Sequence, residues 1–230
     1  MKKTLISLLA LAVFNFSYGE EVYTVVRTVT PYMTEEQQEM SQRWERIKKM
    51  DAQITYQPDK DVLRQIHDDY DNEFKIYMGY LKENPSELFR VGDYYFRSGR
   101  YEKAYEVFSQ GTGDVKSMFG AATAARFLAD NVNALKFYNE IIEKNPKFYE
   151  AYLGRGIINR NMGNYEGAIS DFKKYMEFVQ NESVYLGLGD SYLASGKYAE
   201  AKNILEIGRS KFPQSSLIKE MLMKAYSNLK

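Results

Sequence analysis

Along most of this chain apolar residues return at alternating intervals of three and four, the spacing that gathers them on one face of an α-helix. Val62, Ile66, Tyr70, Phe74, Tyr77 and Leu81 form one such run, and Tyr101, Ala104 and Phe108 a shorter one. A set of small and aromatic positions then repeats about every 34 residues. One copy reads Gly92, Tyr95, Gly99, Tyr101, Ala104, Phe108. Another reads Gly156, Gly163, Tyr165, Ala168, Phe172, and a third Gly189, Tyr192, Gly196, Tyr198, Ala201, Pro213. A degraded copy with Ala122, Ala125, Ala134, Tyr138 and Pro146 lies between the first two. Each copy predicts two helices joined by a tight turn, and their succession predicts an all-α solenoid.

The residues between the helical runs fit that reading. Gly99 stands where a helix end needs positive φ. Small residues at Gly92, Ala104, Gly156, Ala168, Gly189 and Ala201 let helix backbones approach to about 8–10 Å. Pro85, Pro146 and Pro213 each follow a helical stretch and are expected to stop it. Asn84-Pro85 and Asn145-Pro146 look like one joint used twice, with Gln180 where a further proline is expected. Gly111-Thr112-Gly113-Asp114 reads as a helix stop followed by an N-cap.

With these positions the chain resembles the tetratricopeptide repeat family. The first unit supplies Val91-Gly92, Tyr95, Gly99-x-Tyr101, Ala104 and Phe108. The third supplies Tyr152, Gly156, Gly163-x-Tyr165, Ala168 and Phe172, and the fourth Tyr185, Leu188-Gly189, Tyr192, Gly196-x-Tyr198, Ala201 and Pro213. The second unit departs, with Ala129 and Asn131 at the Gly-x-Tyr positions. The resemblance implies a right-handed α-solenoid over residues 59–230, with units near 86–114, 115–148, 149–181 and 182–214 and half-repeats at both ends. It also implies a groove lined by the first helix of each unit. The groove positions fall on Phe89, Asp93, Phe96 and Arg97 in the first unit and on Phe119, Thr123, Arg126 and Phe127 in the second. In the third they fall on Leu153, Ile157, Arg160 and Asn161, and in the fourth on Leu186, Asp190 and Leu193. The family's clamp for chaperone C-termini needs asparagine where Asp93, Thr123, Ile157 and Asp190 stand, so that partner class is not expected.

The N-terminal region has a different pattern. Lys2 and Lys3, the apolar run Leu5 to Phe16 and Ser17-Tyr18-Gly19 read as a signal peptide over residues 1–19, with Glu20 as the new N-terminus. The apolar run is short for a span, about 12 residues against roughly 20 needed. A retained anchor is the alternative. Val22 to Val29 favours an extended strand, which beside a helical solenoid has no sheet to join, so it is expected to be either a disordered or loosely docked leader or a strand offered to a partner's sheet edge. Thr34 and Gln37 form a capping box that opens a helix toward Met50. Met33, Gln37, Met40, Trp44, Ile47, Asp51 and Ile54 follow a four-three alternation. That face either packs on the start of the solenoid or joins two copies of the chain as a homo-oligomer. Pro58 separates it from the next helix, so residues 20–58 form an N-terminal extension.

Composition narrows function. Cysteine is absent, which leaves no disulfide framework, no thiol nucleophile and no thiol for a lipid anchor. Of 31 Lys and Arg residues, 29 remain after signal removal, against 31 acidic residues. A net charge of about −2 gives nucleic acid no basic face to bind. The one histidine, His67, lies among Asp68, Asp69 and Asp71, but only Asp71 shares its side of a helix, too few ligands for a metal site. No serine sits in a nucleophile elbow, and the paired glycines lack a phosphate-loop context. These residues point to no enzyme, cofactor or metal. Together with the signal-peptide reading, the resemblance to tetratricopeptide repeats implies a soluble, exported interaction module of the periplasm, or alternatively the extracellular space. Its partner is another protein or peptide, met by Phe89, Asp93, Phe96, Arg97, Phe119, Arg126, Phe127 and Arg160, where aromatic anchors stand beside arginines that can grip a carboxylate.

Overall fold

A computed structural model describes the backbone of residues 13–18 and 21–26 and the chain from 33 to 229. The chain divides into two compact units that meet within one helix, between Tyr77 and Met78. In the first unit, strand β1 (Val13–Tyr18) pairs antiparallel with β2 (Glu21–Val26), in register from Val13 opposite Val26 to Tyr18 opposite Glu21. Within the strand expected over Val22–Val29, residues 22–26 do have a sheet to join, and residues 27–29 lie outside the described residues. The pairing is not expected from the sequence because the partner residues Val13–Tyr18 read there as part of a signal peptide. Residues 1–12 and 19–20, which carry most of that signal-peptide reading, lie outside the described residues.

Helix α1 (Glu35–Tyr56) opens on the expected capping box. The Gln37 N–H donates to Thr34 Oγ1 at 3.1 Å, and the Thr34 N–H donates to Gln37 Oε1 at 2.9 Å. The helix runs one and a half turns past Met50, because no breaker precedes Pro58. Met40, Trp44 and Ile47 are buried, whereas Met33, at the start of the four-three alternation, is exposed. The Trp44 ring stacks 5.5 Å from that of Tyr77 on α2 (Lys60–Glu83). Arg43 and Arg46 both pair with Glu73 of α2, at 2.9 and 3.0 Å. On α2, Tyr70, Phe74, Tyr77 and Leu81 are buried as the spacing requires, but Val62 is exposed. His67, Asp68, Asp69 and Asp71 all face solvent, as a solvated acidic face should.

The second unit is a right-handed α-solenoid. Its helix pairs are α3 (Pro85–Arg97) with α4 (Tyr101–Phe108), α5 (Val115–Phe127) with α6 (Asn131–Lys144), α7 (Tyr149–Asn161) with α8 (Tyr165–Met176), and α9 (Glu182–Ala194) with α10 (Tyr198–Lys211). A single helix, α11 (Ser216–Asn228), follows them. Each helix packs on the next, and α3, α5, α7, α9 and α11 also touch in succession as one layer. The turn inside every pair has one construction. The N–H groups of Arg100, Asp130, Asn164 and Lys197 reach back to the carbonyls of Tyr95, Ala125, Asn159 and Tyr192 at 2.8–3.0 Å, satisfying the last helical carbonyls. The residue before each donor has positive φ: Gly99 (75°), Gly163 (78°), Gly196 (74°) and, in the degraded unit, Ala129 (59°).

Small residues sit where the helices cross. A Cβ on Gly92 would lie 2.5 Å from the Phe108 ring, and one on Gly189 would lie 2.4 Å from Leu205. Burial is continuous along the unit, from Leu88, Val91 and Tyr95 through Ala121, Ala125 and Ile141 to Leu205, Ile218 and Leu222. Asp114 caps α5 as expected, accepting the Ser117 N–H at 2.8 Å. The two Asn-Pro joints differ: Pro85 occupies the first turn of α3, whereas Pro146 lies in a turn before α7. Pro85 therefore begins a helix directly behind α2, because its fixed φ suits a first helical turn.

Candidate functional site

The layer of odd-numbered helices holds all of the expected groove positions, and the side chains there fall into three groups. At the α3–α4–α5 junction an aromatic cluster forms. Phe127, the last residue of α5, stacks on Tyr101 with centroids 4.7 Å apart and meets Phe96 edge-on at 5.4 Å. Phe96 and Tyr101 themselves lie 5.3 Å apart. Phe127 remains 49% exposed, so the cluster presents a face to solvent. The Arg126 guanidinium carbon stands 4.7 Å from the Phe127 centroid, and its Nε is buried with no hydrogen-bond partner.

A second group is turned into helix packing. Phe89 lies 5.7 Å from Phe108, and Phe119 lies 5.2 Å from Phe148 and 6.0 Å from Tyr138. The Thr123 hydroxyl donates to the Phe119 carbonyl at 2.8 Å and lies 3.3 Å from the Tyr138 hydroxyl. Leu153, Ile157, Leu186 and Leu193 are half-buried against the core of the third and fourth units. A position read as groove-lining from repeat offsets alone can thus serve the inter-repeat core, because each first helix faces both its own partner and its neighbours.

A third group is charged and already paired. Arg97 reaches Asp93 one turn back on α3 at 2.7 Å. Arg160 on α7 donates to Asp190 on α9, and also to Asn161 at 3.2 Å. The Asp190 hydrogen bond and charge outweigh partial burial and raise the Arg160 pKa further. The recurrence of arginine at Arg97, Arg126 and Arg160 therefore hides three different situations: a local pair, an unpaired cation and a clasp between two units.

Two features escaped the sequence reading. Asp171 on α8 is buried and accepts from Arg155 of α7, through Nη2 at 2.6 Å and Nε at 3.0 Å, while Asn159 Nδ2 donates to the same carboxylate at 3.0 Å. Arg155 Nη1 continues to Asn139 of α6 at 2.8 Å. This network ties three helices together, and no local periodicity signals it because its members are 12–16 residues apart. Tyr101 is a framework position of the repeat and also forms one wall of the exposed aromatic cluster. A shallow depression near Glu182, Phe212, Pro213 and Leu217 lies at the α10–α11 turn, away from all these groups. Among the described residues no helix is long and apolar enough to cross a membrane.

Comparison with known proteins fits this geometry. Two tetratricopeptide repeat profiles match, over residues 137–170 and 160–225. A tetratricopeptide repeat protein from Parabacteroides merdae aligns over 82% of this chain and 74% of its own, with 22% identity and a TM-score of 0.58. MamA from Desulfovibrio magneticus covers 64% of this chain and 92% of its own, with 14% identity and a TM-score of 0.55. Such likenesses show the fold. TPR repeat-containing protein YpiA from Bacillus subtilis is 28% identical over 129 residues, which is 53% of this chain and 30% of YpiA. A UDP-N-acetylglucosamine–peptide N-acetylglucosaminyltransferase from Giardia intestinalis is 40% identical over 48 residues, 21% of this chain but 3% of the transferase. The chain thus spans less than a third of the length of either of these relatives. Helix pairing, the repeated turn, the small crossing residues and the matched profiles agree: the chain carries tetratricopeptide repeats, and they build its solenoid.

Proposed function

We propose that this protein is a non-catalytic adaptor or scaffold that holds a peptide segment of another protein along the odd-numbered helices. The observation that carries this reading is the solvent-facing cluster of Phe96, Tyr101 and Phe127 beside Arg126. Exposed aromatics next to arginine are the residue types that dominate protein-binding hot spots, since they offer large contact areas at small entropic cost. Solenoids of this kind present extended surfaces suited to such ligands. The basic-then-apolar start of the chain supports export to the cell envelope as its place of action.

A crosslinking pulldown from extract of the source cells tests the reading. We expect the native chain to recover a partner, and the Arg97→Glu, Arg126→Glu double variant to lose it while keeping its helical circular dichroism. Undiminished recovery by the folded double variant would refute the assignment.

A further inference from the structure

We infer that the peptide face carries a single anionic subsite, at Arg126, and that its ligand is a peptide segment with a carboxylate side chain next to an aromatic residue. This rests on the reading that the odd-numbered helices receive a peptide. It adds where charge is read and how many charges are read. Three observations lead to it. Arg126 has no ion pair or hydrogen bond among the described residues, and its Nε is buried without an acceptor. The other two arginines of the face are neutralised within the chain, Arg97 by Asp93 at 2.7 Å and Arg160 by Asp190. The Arg126 guanidinium leans on Phe127, half of whose surface is open to solvent.

The buried Nε is closed to an incoming ligand, whereas the two Nη groups are neither buried nor hydrogen-bonded within the chain and offer an arriving acceptor directional donors beside the aromatic wall. A carboxylate fits best, because its two oxygens match the guanidinium fork. Phe127, Tyr101 and Phe96 already stand at edge and stacking separations, and an incoming aromatic ring can extend that cluster in the same geometry. Arg160 already spends Nε on Asp190 and Nη1 on Asn161, so a ligand carboxylate there meets a neutralised cation with one free Nη group, and charge recognition stays within the first two units. The ligand therefore binds through one charge and one ring, not through a carboxylate at every repeat.

The test uses the full chain and two acetylated, fluorescein-labelled hexapeptides, Ser-Gly-Phe-Glu-Gly-Ser and its twin with Gln in place of Glu, followed by fluorescence anisotropy. The Glu peptide should bind about tenfold more tightly, and its advantage should shrink in about 0.5 M salt. Arg126→Gln should abolish the preference, and Arg126→Lys, which keeps the charge but loses the fork, should leave an intermediate one. Lys136→Gln, the same charge change at an exposed site on α6, should alter neither affinity. Circular dichroism confirms that each variant is folded. Equal binding of the two peptides, no binding of either at millimolar concentration, or a preference that survives in folded Arg126→Gln overturns the subsite. If that preference instead disappears in Arg160→Gln, the subsite falls and the peptide face stands. If the pulldown is also insensitive to Arg97→Glu with Arg126→Glu, both fall.

Discussion

Ala129 shows how much one backbone angle can ask of a residue. It holds a positive φ of 59° where the other three turns use glycine, and it donates to the Arg126 carbonyl at 3.1 Å as they do to theirs. The left-handed region costs an L-residue about 1–2 kcal/mol, part of which glycine gives back through its freer unfolded chain. Ala129→Gly should therefore stabilise the protein by about 0.5–1 kcal/mol, seen as a higher urea midpoint at unchanged slope. Asp114 is a second local case. Burial alone would raise its pKa, but the Ser117 hydroxyl and the Ser117 and Lys116 N–H groups outweigh it and hold the carboxyl below its ordinary value. A carboxylate with a lowered pKa adds stability above its unfolded value and loses it as pH falls through the folded one. Asp114→Ala should thus cost about 1 kcal/mol at neutral pH, and the difference should begin to shrink near pH about 4 and go on shrinking as pH falls through the lowered pKa of Asp114.

Between elements, the Arg155–Asp171 pair is a strong dependence. Asp171 is 3% exposed, and removing it leaves an arginine with only Asn139 among the partners described above. Loss of one member of such a pair costs about 3–5 kcal/mol when both are dry. Because Arg155 is partly solvated, we expect about 2–3 kcal/mol for Asp171→Ala, scaled down from that range. Arg155→Leu combined with Asp171→Leu should recover part of that loss, which a double-mutant cycle measures. Helix α1 raises a different point. Its alternation allowed either intrachain packing or a seam between two copies, but Trp44 and Ile47 are 3% and 0% exposed in the single chain. Trp44→Ala should consequently act on stability, by about 3–5 kcal/mol, and not on sedimentation of the folded state.

At the scale of the molecule, the second unit is quasi-one-dimensional, since each helix touches only near neighbours in sequence. Damage at one end should stay local. Ile218→Ala, at a fully buried position in the first turn of α11, should speed amide hydrogen exchange in α10 and α11 well before α3 and α4 respond. Uniform acceleration across the unit would show that it unfolds as a single block. The same arrangement separates functions along the array. The first pairs keep an open aromatic face and an unsatisfied cation, while Arg160 and Asp190 join the third and fourth pairs and consume their charges.

The helix pairs, their turns and the capping of α1 and α5 were legible in the residues, because each depends on contacts within a few positions. Spacings of three and four, glycine at a positive φ, and Asp or Thr before a helix are local requirements, met or unmet by adjacent side chains. Repetition then carried the solenoid, since identical units can only stack. Tertiary structure alone decided which groove positions remain free. Phe89 and Phe119 turned inward, Arg97 and Arg160 found carboxylates, and Asp171 drew in Arg155 and Asn159. Those outcomes depend on where neighbouring helices place a ring or an opposite charge, a matter of three-dimensional proximity that no interval along the chain encodes. Arg126 stands out only once its neighbours' partners are known.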